Sequence, residues 1–356
     1  RLGHRAGLLA PVCVVAHKPL EGGPPPGSLA ARAARWGLSE DGADLDWLLL
    51  TGGLHSTNKV TALVFQGGAA APSYVAKMPR RELSLSSLER EAEVLEAVHS
   101  RRGRPLEGVP ELVFLSASDQ DDFPAIGETH LSGVPLYTAM QPERIEDLAR
   151  QATRWLLELV EPGPPQPPAA WWDRLVEPVL RDFEQGYAEV GGLAVLEAAR
   201  AELSRLGALP LAVEHRDFSP WNVFLTPSGN LSVLDWEGAE PSGLPFTDLV
   251  YFLAYLTFFA EDALDSGETP DAYRRMLAPH TRMGGIAAAC FHEYSTAARL
   301  PEASLHPLRL LTWLRHAVLE RALIENSSLG RPDPQLLRRG LYLSLLKTDL
   351  ELNADG

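Results

Sequence analysis

Short runs of branched and aromatic residues, bounded by Gly, Pro and Ser clusters, crowd the first third of this chain. They predict strands over residues 60–66, 73–78, 111–116 and 125–129, and a short helix or strand over 45–50. The first two strands flank Gly67-Gly68-Ala69-Ala70-Ala71-Pro72, a hairpin with a loose loop. A helical period breaks in over 86–99, where Leu88, Ala92, Leu95 and Val98 form one apolar stripe. A further short element spans 28–36. After Gly133 the helical period dominates, over 143–160, 171–187 and 194–206, with a Pro-rich break at 162–168. Residues 211–236 interrupt it with two short strands on the turn Pro227-Ser228-Gly229-Asn230. Helices resume at Asp248. The apolar run 249–260 falls short of the roughly 18 residues that span a membrane and predicts a buried helix.

Composition narrows the class. Of 356 residues, 45% are hydrophobic and 22% charged, which excludes wholesale disorder. The chain carries 47 acidic against 32 basic side chains, a formal charge of −15. That argues against a nucleic-acid partner, which needs basic surface, and it is compatible with a cationic substrate without showing one. Cys13 and Cys290 make no CxxC pair and no zinc spacing, so reduced thiols and a cytoplasmic setting are expected. Neither a signal peptide nor a membrane partner is expected. The chain begins at Arg1, so its natural start is expected upstream. Residues 1–27 read as a separate piece: an apolar run at 8–15, then His17-Lys18-Pro19 and the breaker Gly22-Gly23-Pro24-Pro25-Pro26-Gly27.

The chemistry concentrates in Glu214-His215-Arg216-Asp217-Phe218-Ser219-Pro220-Trp221-Asn222, followed after the turn by Leu234-Asp235-Trp236-Glu237. An acid and an amide five residues apart, and then a second acid, suit phosphoryl transfer. One carboxylate orients an attacking hydroxyl, and other oxygens hold magnesium against phosphates. Asp217 can do the first; Asn222 and Asp235 can do the second.

At these residues the chain resembles the aminoglycoside phosphotransferase and choline kinase family, whose pattern is His-x-Asp, four residues, Asn, a hairpin, then Asp-Trp or Asp-Phe. The resemblance covers about residues 45–350. It implies an α+β, protein-kinase-like fold of two lobes, with a small antiparallel β lobe and one key helix before a larger helical lobe. The implied domains are 28–130 for nucleotide binding and 131–356 for catalysis and acceptor binding. It implies transfer of the γ-phosphate of Mg2+-bound ATP or GTP to a hydroxyl of a small-molecule acceptor. It gives His215 and Asp248 structural roles in supporting the catalytic loop. Gly52, Ser56 and Asn58 fall where the family keeps its nucleotide-covering loop. Backbone groups near Glu128 and Leu131 fall where it meets the purine. Residues 1–27 are similar to the last strand of a class I methyltransferase, which would make them the remnant of an upstream fused domain; an arm of the main body is the equal alternative.

A lone Lys77 in the strand Tyr74-Val75-Ala76-Lys77-Met78 needs a polar partner. In kinases such a lysine contacts phosphates and pairs with a helix Glu. Advancing about 100° per residue places Glu91 inside the helix stripe and Glu89, Glu93 and Glu96 toward solvent, which selects Glu91. The absence of GxxxxGK[ST] argues against a P-loop ATPase. A protein kinase fits poorly: no Ala-Pro-Glu follows Asp235, and Asp248 comes too soon for an activation segment. A catalytically inactive binding or scaffold protein is the alternative from another class, although Lys77, Asp217, Asn222 and Asp235 are all present. For the acceptor, Glu261, Asp262, Asp265, Glu293 and Glu325 could meet amines, and Trp171, Trp172, Tyr251, Phe252 and Tyr294 could stack on a ring. An antibiotic, with a role in resistance, or a nucleoside-like natural product, and a metabolic sugar or amino alcohol stay equally open.

Overall fold

The computed structural model describes residues 12–15, 28–40, 44–51, 59–79, 85–100, 105–116, 124–327 and 333–354. The chain forms two compact units. The first comprises Arg1–Gly133 with Ser232–Ala239, and the second Val134–Leu231 with Glu240–Gly356.

The first unit is built on a six-stranded antiparallel sheet: β1 (Val12–Val15), β2 (Leu45–Thr51), β3 (Lys59–Gln66), β4 (Tyr74–Pro79), β5 (Leu112–Ser116) and β6 (Ala125–Thr129), in the order β1-β2-β3-β4-β6-β5. Strands β3 to β6 are those the pattern predicts, and β2 resolves as a strand the segment 45–50, for which the sequence allowed helix or strand. The sixth, β1, comes from the segment 1–27 and adds to the edge of the sheet with Val12 opposite Leu50 and Val15 opposite Trp47.

Period-two alternation gives this sheet two different faces. One carries Trp47, Ala62, Val64, Ala76, Met78 and Ala125, buried with Ala33 and Trp36 from the helix α1 (Leu29–Arg35) and its end. Trp36 stacks on Phe114 with centroids 4.6 Å apart. Phe114 in turn lies against Gly127, where a Cβ would sit 2.0 Å from the ring, so only glycine fits that position of β6. The other face meets α2 (Leu85–Ser100), whose Leu88, Ala92, Leu95 and Val98 are buried as the stripe requires.

The second unit is mainly helical. Its longer helices are α3 (Ile145–Leu157), α4 (Glu177–Tyr187), α5 (Leu193–Leu203), α6 (Thr247–Ala260), α7 (Thr269–Leu277), α8 (Arg282–Ala298), α9 (Leu305–Ser327) and α10 (Leu341–Ala354). In α3 the buried positions Ile145, Leu148, Ala149, Ala152 and Leu156 keep the helical spacing of a one-sided stripe. α6 is different: every residue from Thr247 to Phe258 is buried, as an all-round apolar helix must be. Short strands β7 (Val134–Pro135), β8 (Ala212–Glu214) and β9 (Val223–Leu225) frame the loop before α6, and β10 (Leu231–Val233) and β11 (Glu240–Gly243) follow. Among the described residues no helix is long and apolar enough to cross a membrane.

Candidate active site

Residues directly opposite each other in antiparallel strands share a face. Lys77 lies opposite Thr61 of β3 and Ile126 of β6, and Lys59 lies opposite Pro79. Lys59, Lys77 and Glu128 therefore stand on the face that meets α2. There Lys77 Nζ donates to Glu91 Oε1 at 2.6 Å and lies 2.7 Å from Glu128 Oε1. All three side chains are buried. Glu91 Oε1 also accepts the backbone N–H of Trp236 at 3.1 Å.

One ammonium thus serves two carboxylates out of water. Burial works against the charge on Lys77, but Glu128 and Glu91 outweigh it and hold the lysine above its ordinary pKa. Burial, joined by the charge of Glu91, pushes the Glu128 carboxyl up to about 7 even though Lys77 pulls the other way.

Lys59 makes a second cluster beside the first. Its Nζ donates to Asp235 Oδ1 at 2.9 Å and lies 2.8 Å from Glu237 Oε2 and 3.9 Å from Glu91 Oε2. Burial opposes its charge, but Asp235 foremost raises its pKa. Asp235 has a φ of +67°, a left-handed conformation that costs a non-glycine residue energy and tends to collect at functional sites. The side-chain pairing of Glu128 and the position of Lys59 escape a reading of the sequence. Both follow from strand parity once the register of β3, β4 and β6 is known.

In the second unit, β8 delivers the loop that begins at His215. Asp248, in the first turn of α6, accepts the backbone N–H groups of His215 at 2.6 Å and of Arg216 at 2.8 Å. His215 is fully buried, and its Nδ1 accepts the N–H of Asp217 at 3.3 Å. Arg216 takes a left-handed φ of +66°. Asn222 Nδ2 donates to the Asp217 side chain at 2.7 Å and to its carbonyl at 3.0 Å. The loop is pinned from below by buried Phe218, whose ring lies 5.4 Å from that of Trp155 and 5.3 Å from that of Phe252.

Charge braces the base of this loop. Arg315 donates to Glu214 Oε1 at 2.7 Å and Thr247 donates to the same oxygen at 2.8 Å. Burial opposes ionisation of Glu214, yet Arg315 and Arg216 overcome it and hold its pKa below the usual carboxylate value. Among the described residues Asp248 has no cation paired with it. Burial, and then the negative charge of Glu214, push it up to about 7.

Asp217 and Asn222 are thus brought together in the second unit, on a loop supported by His215 and Asp248. Lys77, Glu91 and Glu128 are brought together in the first, with Asp235 beside Lys59. Gly52, Ser56 and Asn58 lie outside the described residues. Leu131 is half-buried just past β6. Among the acids expected to meet amines, Glu261 is bound to Arg275 at 2.8 Å, Glu293 to Arg154 at 2.9 Å and Glu325 to Arg321 at 2.6 Å. Trp171, Phe252 and Tyr294 are buried, so they serve the interior. Among the described residues no cluster of three or more His, Cys, Asp or Glu could by itself hold a metal. Asn222 in the second unit and Asp235 in the first each carry a hard oxygen donor, of the type magnesium takes alongside phosphates and water. Because Asn222 turns Nδ2 to Asp217, its Oδ1 is the atom available as such a donor.

Comparison with known proteins agrees with this picture. An ethanolamine kinase from Plasmodium vivax shares 12% identity over 88% of this chain and 83% of its own, with a TM-score of 0.50. The aminoglycoside phosphotransferase APH(2'')-Ib, solved with ADP, shares 15% over 86% and 93%, with a TM-score of 0.47. An aminoglycoside-3'-phosphotransferase of type VIII shares 18% over 80% and 98%, with a TM-score of 0.46. The likeness to the ethanolamine kinase identifies the fold as the kinase-like α+β fold of two lobes. No curated protein sequence matches the chain. The model of the phosphotransferase enzyme family matches residues 57–284, well over half of the chain, and spans Lys77, Glu91, the loop from His215 to Asn222, Asp235 and Asp248. The chain belongs to the phosphotransferase enzyme family.

Proposed function

We propose that this protein transfers the γ-phosphate of a magnesium-bound nucleoside triphosphate, ATP or GTP, to a hydroxyl of a small acceptor. The observation that carries the proposal is the Asp217–Asn222 pair on its braced loop. Asp217 has its carboxylate oriented by Asn222 Nδ2 at 2.7 Å, on a backbone clamped by Asp248. In this role it accepts a hydrogen bond from the acceptor hydroxyl, aims it, and takes its proton as the bond to phosphorus forms.

Lys77 is the group for the α- and β-phosphates, and its carboxylate partners hold the ammonium in place. Asn222 Oδ1 and the Asp235 carboxylate would hold magnesium, which when bound neutralises phosphate charge. Glu128 and Leu131 offer backbone groups to the base, and Gly52, Ser56 and Asn58 cover the phosphates. A buried lysine–glutamate pair and an intact Asp217 favour an active enzyme over a scaffold.

The test supplies Mg-ATP or Mg-GTP with pooled hydroxyl compounds and follows acceptors by mass for the gain of one phosphoryl group. Asp217→Ala should lower the rate by about 10²- to 10⁴-fold while nucleotide binding persists. An unchanged rate in a folded variant would remove Asp217 from the chemistry.

A further inference from the structure

We propose that Lys59 is a resident counter-ion for the Asp235 carboxylate: its ammonium holds that acid in the metal-free protein and competes for it with a divalent cation. The inference rests on the reading above that Asp235 takes magnesium. It concerns the first unit alone, which contains Lys59, Glu91, Asp235 and Glu237.

Lys59 is the first residue of β3, held there opposite Pro79 of β4. Its Nζ is a meeting point of three acids. Asp235 Oδ1 lies at 2.9 Å, Glu237 Oε2 at 2.8 Å and Glu91 Oε2 at 3.9 Å. The Lys59 side chain is only 9% exposed, whereas Asp235 and Glu237 keep 36% exposure each. The two acids are open to water, and the ammonium that joins them is buried. A cation arriving from solvent therefore meets an Asp235 that is already paired.

Charge gives that cation a reason to compete. Lys59 and Lys77 stand among four carboxyl groups, Glu91, Glu128, Asp235 and Glu237. Even with Glu128 protonated, acids outnumber lysines here, so the group is short of positive charge. A single ammonium cannot neutralise three carboxylates, and the unbalanced negative charge attracts a further cation.

The bonding of Glu91 shows where the ammonium can go. Glu91 Oε1 takes Lys77 and the backbone N–H of Trp236. Glu91 Oε2 is buried, and among the described residues it has no hydrogen-bond partner. A buried carboxylate oxygen left unbonded costs free energy. It lies 3.9 Å from Lys59 Nζ, about 1 Å beyond hydrogen-bond length. An ammonium has three donors, and Asp235 and Glu237 take two. A donor released from Asp235 thus has a buried acceptor beside it. Letting Asp235 go completes the bonding of Glu91 and does not strand Lys59.

This role makes a prediction opposite to that of a purely structural lysine. Loss of a structural support would loosen Asp235 and weaken metal binding. Loss of a competing cation would strengthen it. The experiment adds Mn2+ without nucleotide and reads free Mn2+ by electron paramagnetic resonance, with each variant checked for cooperative urea unfolding. The site counted is the one that Asp235→Asn removes. Lys59→Met and Lys59→Gln should each bind Mn2+ there about tenfold more tightly than the natural protein, or better, because an ammonium no longer opposes the incoming charge. Lys59→Gln also keeps a donor for Glu91, so it serves if Lys59→Met fails to fold. Lys59→Arg, which keeps a tethered cation, should bind Mn2+ no more tightly than the natural protein. Equal or weaker Mn2+ binding in the neutral variants, at a site that Asp235→Asn removes, would overturn the inference. Mn2+ binding that Asp235→Asn leaves intact would instead overturn the assignment of metal to Asp235 beneath it.

Discussion

Replacing Asp248 with Asn should change the sign of its effect on stability between pH 4 and pH 8. Asp248 is 7% exposed, and burial together with Glu214 raises its carboxyl from 3.8 to about 7. At 1.36 kcal/mol per unit, that shift corresponds to about 4 kcal/mol. The folded pKa lies above the unfolded one, so folding prefers the protonated acid. The associated stability is complete below pH 3.8 and is lost as the pH rises through about 7. Asparagine carries no charge at any pH, but it has one acceptor oxygen for the two N–H groups of His215 and Arg216. Its amide NH2 faces the other N–H, at a cost of about 1–3 kcal/mol. At pH 4, where little of the cost of ionising Asp248 has yet built up, the natural protein should therefore be the more stable by about that amount. At pH 8 the variant gains about 4 kcal/mol relative to it and should be as stable or more so. Urea unfolding at the two pH values, with linear extrapolation, reads the difference directly. Contributions of distant titrating groups cancel between the two proteins. An equal loss of stability at both pH values would refute the reasoning.

Lys77→Met should destabilise the chain by about 3–5 kcal/mol, because it strands two buried carboxylates, and the loss should grow above pH 7, where Glu128 ionises in the natural protein but, without Lys77, is held protonated by burial and Glu91. Lys59→Met should cost clearly less in the same assay, because its partners Asp235 and Glu237 each keep 36% side-chain exposure. Gly127→Ala should lower the melting temperature through a loss of about 1–3 kcal/mol, because the new Cβ collides with the ring of Phe114; a Phe114→Ala background should rescue most of it.

Local chemistry was legible in the amino-acid order. Asp217 and Asn222 are five residues apart, and their meeting needs only the turn between them. Glu91 was legible because helical rotation is fixed, and one acid in four fell on the buried stripe of α2. Strand positions followed from alternation, which is a local property. What resisted reading depends on partners distant in the chain. Glu128 reaches Lys77 as a diagonal neighbour across β4 and β6, and Lys59 shares its face only through the register of β3 against β4. Alternation tells that a residue has a face, not which strand lies alongside. Glu293 looked available for an amine because its arginine, Arg154, lies far away along the chain on α3.

The first unit is discontinuous in the chain. Ser232–Ala239 belongs to it, although the preceding and following segments belong to the second unit. Within that short return, Trp236 is fully buried and gives its backbone N–H to Glu91, and Asp235 and Glu237 hold Lys59. No single cut in the chain can therefore release the first unit whole. A fragment ending at Gly133 would leave out a tryptophan of its own interior and both acids of its own lysine. The two units therefore have to be produced as one continuous chain, because neither is a single stretch of it.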